Sequence, residues 1–345
     1  MPMTAPSMKP LYARLKDQGI ERPYLLSAVL PDWWDDSLYN DPANRQLADL
    51  YISKFLGAHV RRVADTSAPL LPPEVRVRLK RNRNTEDSQV AGAIVGALHA
   101  ARLVADLMKE QLPFTGIRPA LEIRNQLLSR PDCTWPDLRH LVDYCWQHGI
   151  GVIHVTRLPK VAGSQKIAGL ATFVGERPVI VLCSRRDSPA WLAFHLAHEL
   201  GHIMCGHVHP GGQPLVDMKL DNASDEAGER EADQYGFQVL TGQPKLQLDG
   251  PSMKGERLAN AARRFGGSHR IHPGTVVLIY GYCQGRIPVA QRALAVMGED
   301  QGAGMVLAEA LRAHIAFDDL PETTERFLSA TTQAFGLTAI ESPTD

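Results

Sequence analysis

The chain has 345 residues, of which 44% are hydrophobic and 22% are charged, as is ordinary for a soluble globular protein of two or three domains. Its formal net charge of -1 gives no global reason to expect a nucleic acid or an anionic membrane as the main partner. No window holds the roughly 18 to 20 uninterrupted apolar residues that span a bilayer, so no membrane partner is expected.

The cysteines and the N-terminal segment both favour the cytoplasm. The five cysteines are scattered, odd in number and form no C-x-x-C pair, which argues against a disulfide framework. The first segment, MPMTAPSMKPLYARLKDQG, lacks the apolar stretch of a signal peptide. We therefore expect a cytoplasmic protein.

Residues 1–85 are predicted to form a helical region and a linker. The segments KPLYARLKDQG and NRQLADLYISKFLG each end on glycine, which is typical of short helices, and the second places its apolar residues on one helical face. The stretch TSAPLLPPEV indicates a linker, and a basic run from Arg76 to Arg83 follows it. That run could contact phosphates, although such runs are more often solvated segments.

Residues 86–145 are predicted to form connecting helices, of which the first is rich in Ala and Val and runs from about Asp87 to Met108. Two more are expected in ALEIRNQLLSR and WPDLRHLVDYCWQHG. The pattern then changes, because GVIHVTRL is strand-like. LATFV and RPVIVLC flank the dipeptide Gly175-Glu176, and a Gly-first two-residue turn suits a type II′ hairpin.

The segment 191–210, WLAFHLAHELGHIMCGHVHP, carries five histidines and one glutamate in an otherwise apolar run. We predict a buried helix there. Asp187 or Ser188 can cap it, Pro189 suits its first turn, and Gly206 can end it.

Beyond this helix we expect a loop over 207–223, because that segment is rich in Gly, Pro and Asp. A second helix is predicted from about Ser224 to Leu240. Residues 246–345 are predicted to be mostly helical, and RLANAARRFGGSHRIHPGTVVLIYG is expected to form two helices around a Gly-Gly turn.

His198, Glu199 and His202 form an H-E-x-x-H pattern on the first of these two helices. Positions i and i+4 lie roughly 40° apart on a helix, so both imidazoles point the same way and can be ligands of one Zn²⁺. Glu199 lies about 100° from His198, so it can pass a proton from an attacking water to a leaving amine without binding the ion. The alternatives are a buried polar cluster without metal and a metal site without proteolysis.

A catalytic zinc usually takes three protein ligands and one water, so a third ligand must come from elsewhere. A metzincin-type histidine does not fit, because its glycine and histidine positions hold Cys205 and Val208. His207 and His209 miss that register on either side and are left as residues of the cleft. His195, one turn before the motif, is expected to support a ligand histidine or to pack in the core. A packing role is also expected for Cys205.

A carboxylate on the helix SDEAGEREADQYGFQVL is the preferred third ligand. Its apolar face follows helical spacing and consists of Ala232, Tyr235, Gly236, Val239 and Leu240. Glu229 falls on that face, whereas Glu231 projects about 200° away and should face solvent. Asp233 suits a carboxylate that orients a ligand histidine through its free N–H. Glu226, one turn before Glu229, is a weaker candidate.

The combination of H-E-L-G-H with E-R-E-A-D-Q-Y-G-F-Q-V-L less than thirty residues later resembles the ImmA/IrrE family of zinc metallopeptidases. The resemblance covers roughly 135–285 and includes AGLATFVGERPVIVLCSRRD and RIHPGTVVLIYG. It implies a gluzincin-type site in which His198, His202 and Glu229 hold Zn²⁺ and Glu199 is the catalytic glutamate.

The fold class that follows is α+β. We expect a minimal zincin-like domain over 146–245, made of a small sheet and the HExxH helix, between helical regions over 1–145 and 246–345. In a zincin architecture the strand RPVIVLC would form the edge of the cleft, where an extended substrate can add as another strand.

Members of this family are typically cytoplasmic proteases that cut a helix-turn-helix repressor. The resemblance therefore implies a zinc-dependent endopeptidase acting on a repressor-like regulatory protein. Residues 8–65 look like a diverged helix-turn-helix region, in which LPDWWDD replaces a clear recognition-helix signature, and DNA is a second candidate partner. Two rival functions are a DNA-binding transcriptional regulator whose zincin domain senses without proteolysis, and a toxin or antitoxin component that works through contact alone.

Overall fold

The protein folds as a small mixed sheet surrounded by helices, which confirms the predicted α+β class. The computed structural model describes residues 7–65, 67–71, 87–109, 112–159, 167–218, 227–248 and 253–335. The basic run Arg76–Arg83 and the candidate ligand Glu226 lie outside these residues.

Short helices form the N-terminal region, as the apolar periodicity predicts. They are α1 (Lys9–Lys16), α2 (Arg22–Ala28), α3 (Pro42–Leu56) and α4 (Val60–Ala64), with a 3₁₀ turn over Asp36–Asn40. The Asp41 carboxylate accepts the N–H groups of Ala43 and Asn44 at the start of α3. Gly57 ends that helix with a φ of 65°, a conformation that favours glycine.

A long helix, α5 (Asp87–Leu107), covers one side of the sheet. Within the described chain, its window Val90–Leu107 is long and apolar enough to cross a membrane by length and composition alone. Yet 72% of that window is buried inside the structure, where the helix packs against three strands. Such burial is that of a core helix.

The sheet follows two further helices, α6 (Ala120–Leu128) and α7 (Leu138–Gln147). Its strands are β1 (Gly151–His154), β2 (Ile167–Val174), β3 (Arg177–Leu182) and β4 (Leu215–Met218), in the order β1-β3-β2-β4. β1 runs parallel to β3, and the other pairs are antiparallel. The predicted hairpin is confirmed, because Val174 pairs with Arg177 across a turn in which Gly175 has a φ of 60°.

Two predictions about the sheet are wrong. The loop expected over 207–223 contains β4, which pairs with β2 through registers such as Leu170 with Val216. β3 is not the edge of a cleft, because β1 and β2 occupy its two sides. Its run from Pro178 to Leu182 is buried throughout, and such a continuous apolar run is typical of an interior strand.

The C-terminal half is helical, as predicted. Two helices, α8 (Pro189–Met204) and α9 (Ala227–Thr241), come first, followed by α10 (Gly255–His269), α11 (Pro273–Cys283), α12 (Ile287–Met297), α13 (Ala303–His314) and α14 (Glu322–Thr331).

The prediction of a Gly-Gly turn in this region is wrong. Helix α10 continues through Gly266 and Gly267, and the chain turns at Arg270, which has a φ of 54°. The Arg270 guanidinium donates to the backbone carbonyls of Leu128, Cys133 and Thr134. These tertiary bonds offset the cost of a left-handed arginine.

Two hydrophobic cores hold the described residues together. The larger one draws on both ends of the chain and includes Leu15, Ile123, Val179 and Phe327. The smaller one joins α10, α11 and α12 to Trp191 at the start of α8. The division into 1–85, 86–145, 146–245 and 246–345 stays a prediction.

Arg124 gives a test of how α9 is anchored. Its guanidinium is buried and donates to the carbonyls of Val239, Leu240 and Arg270. Arg124→Met leaves these acceptors without a donor, so we expect the free energy of unfolding to fall by about 2–4 kcal/mol, measured by urea denaturation.

The matched control is Arg139→Met, which removes an ion pair with Glu309 whose side chains are 58% and 50% exposed. It should cost less than about 1 kcal/mol. Equal effects of the two substitutions would show that Arg124 does not anchor the helix.

Candidate metal centre

Helix α8 carries the H-E-x-x-H pattern, and its start resolves the predicted choice of cap. Ser188 is the capping residue, and its hydroxyl accepts the N–H of Trp191 at 3.5 Å. Asp187 instead accepts the N–H groups of Gly302 and Gly304 at the start of α13, at 2.8 and 2.6 Å. The helix ends before Gly206, whose φ is 76°.

Helix α9 packs directly against the backbone of α8 because small residues meet where the helices cross. A Cβ on Gly201 would come within 2.8 Å of the Ala232 carbonyl oxygen, and one on Gly236 within 3.1 Å of the backbone of Ala197. The apolar face predicted for α9 is buried as expected. This contact sets the distance at which side chains of the two helices can meet.

His198, His202 and Glu229 converge at this crossing, with one ligand atom from each lying within 4.8 Å of the others. The two histidine Nε2 atoms are 3.0 Å apart. The Nε2 atoms of His198 and His202 lie 3.4 and 3.7 Å from different carboxylate oxygens of Glu229. The described residues therefore contain a His/His/Glu group that could hold a metal ion.

The spacing of these atoms suits a small tetrahedral cation. With metal–ligand bonds of about 2.0–2.1 Å, adjacent ligand atoms of a tetrahedral zinc site are about 3.4 Å apart. The separation of 3.0 Å between the two Nε2 atoms and those of 3.4 and 3.7 Å from each Nε2 to its nearer Glu229 oxygen lie around that value. His202 is fully buried, the His198 side chain is 9% exposed and that of Glu229 is 23% exposed, so the group opens towards solvent on the Glu229 side.

The electrostatics of the group favour metal binding. Burial lowers the pKa of His202, which keeps its imidazole neutral and able to donate a lone pair. Burial raises the pKa of Glu229, but the hydrogen bonds from His198 and His202 outweigh this effect and hold the pKa of Glu229 well below its usual range. Glu229 is therefore ionised at neutral pH.

Asp233 lies where the sequence placed it, one turn after Glu229. Its Oδ1 is 2.8 Å from Nδ1 of His198. A neutral imidazole has one N–H, so donation from Nδ1 to Asp233 leaves Nε2 with its lone pair towards the other ligands.

The Glu199 carboxylate packs against the sheet. It is 1% exposed, and its Oε1 lies against Gly169 of β2 so closely that a Cβ there would collide with the carboxylate. Sequence reasoning missed Gly169. The available signal was a glycine inside a predicted strand, which often marks the close approach of another group.

The other polar residues of the motif region are divided by position. His195 lies between the rings of Trp191 and Phe194, in keeping with support or packing. His209 is exposed and lines a cavity of about 460 Å³ with residues such as Phe114 and Phe173. That cavity is not lined by His198, His202 or Glu229.

His207 and Glu231 contact each other and the ligand group. The Nδ1 atoms of His207 and His202 are 3.0 Å apart, and Nε2 of His207 is 3.1 Å from Oε2 of Glu231. The Glu231 side chain is 62% exposed, as predicted, but its carboxylate also contacts His207. Because α8 ends at Met204, His207 turns back onto His202 instead of lying on the opposite helix face.

No protein-family model, curated protein or solved structure matches this chain. The resemblance to the ImmA/IrrE family and the roles of the individual residues stay predictions.

Asp233 provides a test of the metal site that needs no substrate. Asp233→Ala removes the acceptor that orients His198, so we expect zinc affinity to fall about 10- to 100-fold in competition with a chromogenic chelator. Gln234→Ala changes an exposed neighbour on the same helix and should leave affinity unchanged. Equal affinities for both variants and the parent would exclude the orienting role.

Proposed function

We propose that this protein is a zinc-dependent endopeptidase that cleaves a specific regulatory protein in the cytoplasm. The observation that carries the proposal is the meeting of His198, His202 and Glu229 on two helices, with Glu199 on the adjacent face of the first helix. The resemblance of the motifs to the ImmA/IrrE family supports the same reaction.

The donor set suits Zn²⁺. Two neutral imidazole nitrogens and one carboxylate are the ligands of many catalytic zinc sites, which leave a further position for water or substrate. When bound there, the ion would supply a water of lowered pKa and polarise a peptide carbonyl. Asp233 would keep His198 oriented during the reaction.

Glu199 is the residue that we propose as the proton carrier. Its position next to His198 and against Gly169 places a buried carboxylate between the ligand helix and the sheet. A carboxylate there can accept a proton from the attacking water and deliver it to the leaving amine. The contact with β2 limits the directions in which the carboxylate can turn.

The sheet also indicates how a substrate would be held. β2 faces the proposed catalytic glutamate, but it lies between β3 and β4, and β3 lies between β1 and β2, so neither strand is available for strand addition. Among the described residues, the outer side of β4 is the sheet edge nearest to this side of the site. An extended segment of a repressor-like protein could add there through backbone hydrogen bonds.

Glu199→Gln tests proteolysis directly. The protein is co-expressed with each candidate repressor-like protein from the same genome, and cleavage is followed by mass spectrometry of the products. Loss of general acid–base catalysis should lower the rate at least about 100-fold, while zinc content stays at one ion per chain. Glu229→Ala should instead lower zinc content.

Each contrary outcome has a distinct meaning. If the parent and Glu199→Gln leave every candidate intact while both hold one zinc ion, the protease proposal fails. Gel-shift binding to the DNA upstream of the gene that survives the same substitution would then favour the DNA-binding regulator. Cleavage at equal rates by both variants would exclude Glu199 as the proton carrier.

Gly169→Ala tests whether the position of the Glu199 carboxylate matters, because residue 199 itself is not substituted. The added methyl displaces the carboxylate, and a misplacement of about 1 Å costs up to about 100-fold in rate. We expect cleavage to slow about 10- to 100-fold with unchanged zinc content. Gly267→Ala is the control, because a Cβ there meets nothing within 4 Å and should not slow cleavage.

A further inference from the structure

A second group of potential ligands lies beside the first. Cys205, His207 and Glu231 each offer one ligand atom, and these atoms lie within 4.8 Å of one another. The Glu231 side chain is 62% exposed and that of His207 16%, so the second group is open to solvent on the Glu231 side. A dissolved cation can therefore reach them.

We propose that Cys205, His207 and Glu231 form a second cation site, selective for a soft divalent ion, whose occupation weakens binding at the first site. Thiolate sulfur selects soft cations over Mg²⁺ and Ca²⁺, and a Cys/His/carboxylate set is within the range of zinc ligands. Binding releases the thiol proton to solvent and forms a sulfur–metal bond without any change of oxidation state.

The chain geometry that builds this site comes from the end of α8. Cys205 caps the helix, Gly206 turns the chain with a φ of 76°, and the His207 N–H donates to the His202 carbonyl at 2.9 Å. This turn brings the cysteine and the histidine to the same side of the helix end. Glu231 reaches them from the exposed face of α9.

The two sites share a hydrogen bond that links their occupancy. The Nδ1 atoms of His202 and His207 are 3.0 Å apart, and a hydrogen bond between two imidazole nitrogens at this distance requires that only one of them carries the proton. If Nε2 of His202 binds a cation, its proton is on Nδ1 and is donated to His207. The single proton of neutral His207 is then on Nε2, where it points to Glu231 and blocks a cation.

The reverse assignment excludes the first ion. If Nε2 of His207 binds a cation, its proton is on Nδ1 and is donated to His202. The proton of His202 is then on Nε2, which is the atom that meets His198 and Glu229. Both sites can fill only when the bond between the Nδ1 atoms breaks, so the two ions compete without sharing a ligand.

The second cation site does not depend on the proposed protease function. The coupling between the two sites does rest on it, because it requires that His198, His202 and Glu229 bind a metal ion. Cd²⁺ is a suitable probe, because its bond to a thiolate gives an ultraviolet charge-transfer band. The first group contains no sulfur, so the band cannot come from it, and cysteine variants decide whether it comes from Cys205 or from another of the five cysteines. The zinc-loaded parent should form the band at one equivalent of bound Cd²⁺.

Cys205→Ser and His207→Ala should each abolish the band, and circular dichroism checks that each variant is folded. Cys283→Ser is the matched control, because Cys283 is an exposed thiol outside the group and its removal should leave the band intact. A band that survives Cys205→Ser, or no band in the parent, would overturn the second site.

The coupling is tested with His198→Ala, which breaks the first site but keeps the pair formed by His202 and His207. Allosteric coupling between sites is commonly 5- to 150-fold, so the Cd²⁺ midpoint should be about tenfold lower than in the zinc-loaded parent. Glu229→Ala provides a second variant with the same expectation. Equal midpoints would overturn the coupling, and absence of proteolysis in the parent would overturn only the proposed function.

Discussion

The close contact between α8 and α9 is the constraint on which the site depends. Gly201 lies against Ala232 and Gly236 lies against Ala197, so a Cβ on either glycine would come within 2.8 or 3.1 Å of the opposite backbone. This contact fixes both the separation and the rotation of the two helices. Glu229, one turn before Ala232, is thereby brought to His198 and His202. If the helices packed further apart, the two histidines would have no third ligand from α9.

One helix therefore presents the candidate metal ligands on one face and the proposed proton carrier on another. Towards α9, His198 and His202 point at Glu229 and are held from behind by Asp233 and by the histidine of the following turn. Towards the sheet, Glu199 lies against a glycine of β2. The angle of about 100° between consecutive helical residues separates the candidate ligands from Glu199.

The sequence predicted those parts of the fold that depend on local periodicity. The helix caps, the hairpin turn and the buried face of α9 are where the pattern placed them. It failed where pairing between distant segments decided the outcome. The short strand β4 lies in a polar loop and forms only because β2 offers it an edge, and Gly266 stays helical because Arg270 is held by carbonyls from another part of the chain.

By itself, the sequence determined which residues share a helix face. Helical periodicity is a local property of the backbone, so the register of α9 was enough to separate Glu229 from Glu231. Only the tertiary structure decided what each face meets: Gly169 opposite Glu199, and His207 turned back onto its neighbour. Such contacts join segments that are far apart in sequence or follow the exact end of a helix, and neither is fixed by the local pattern of apolar residues.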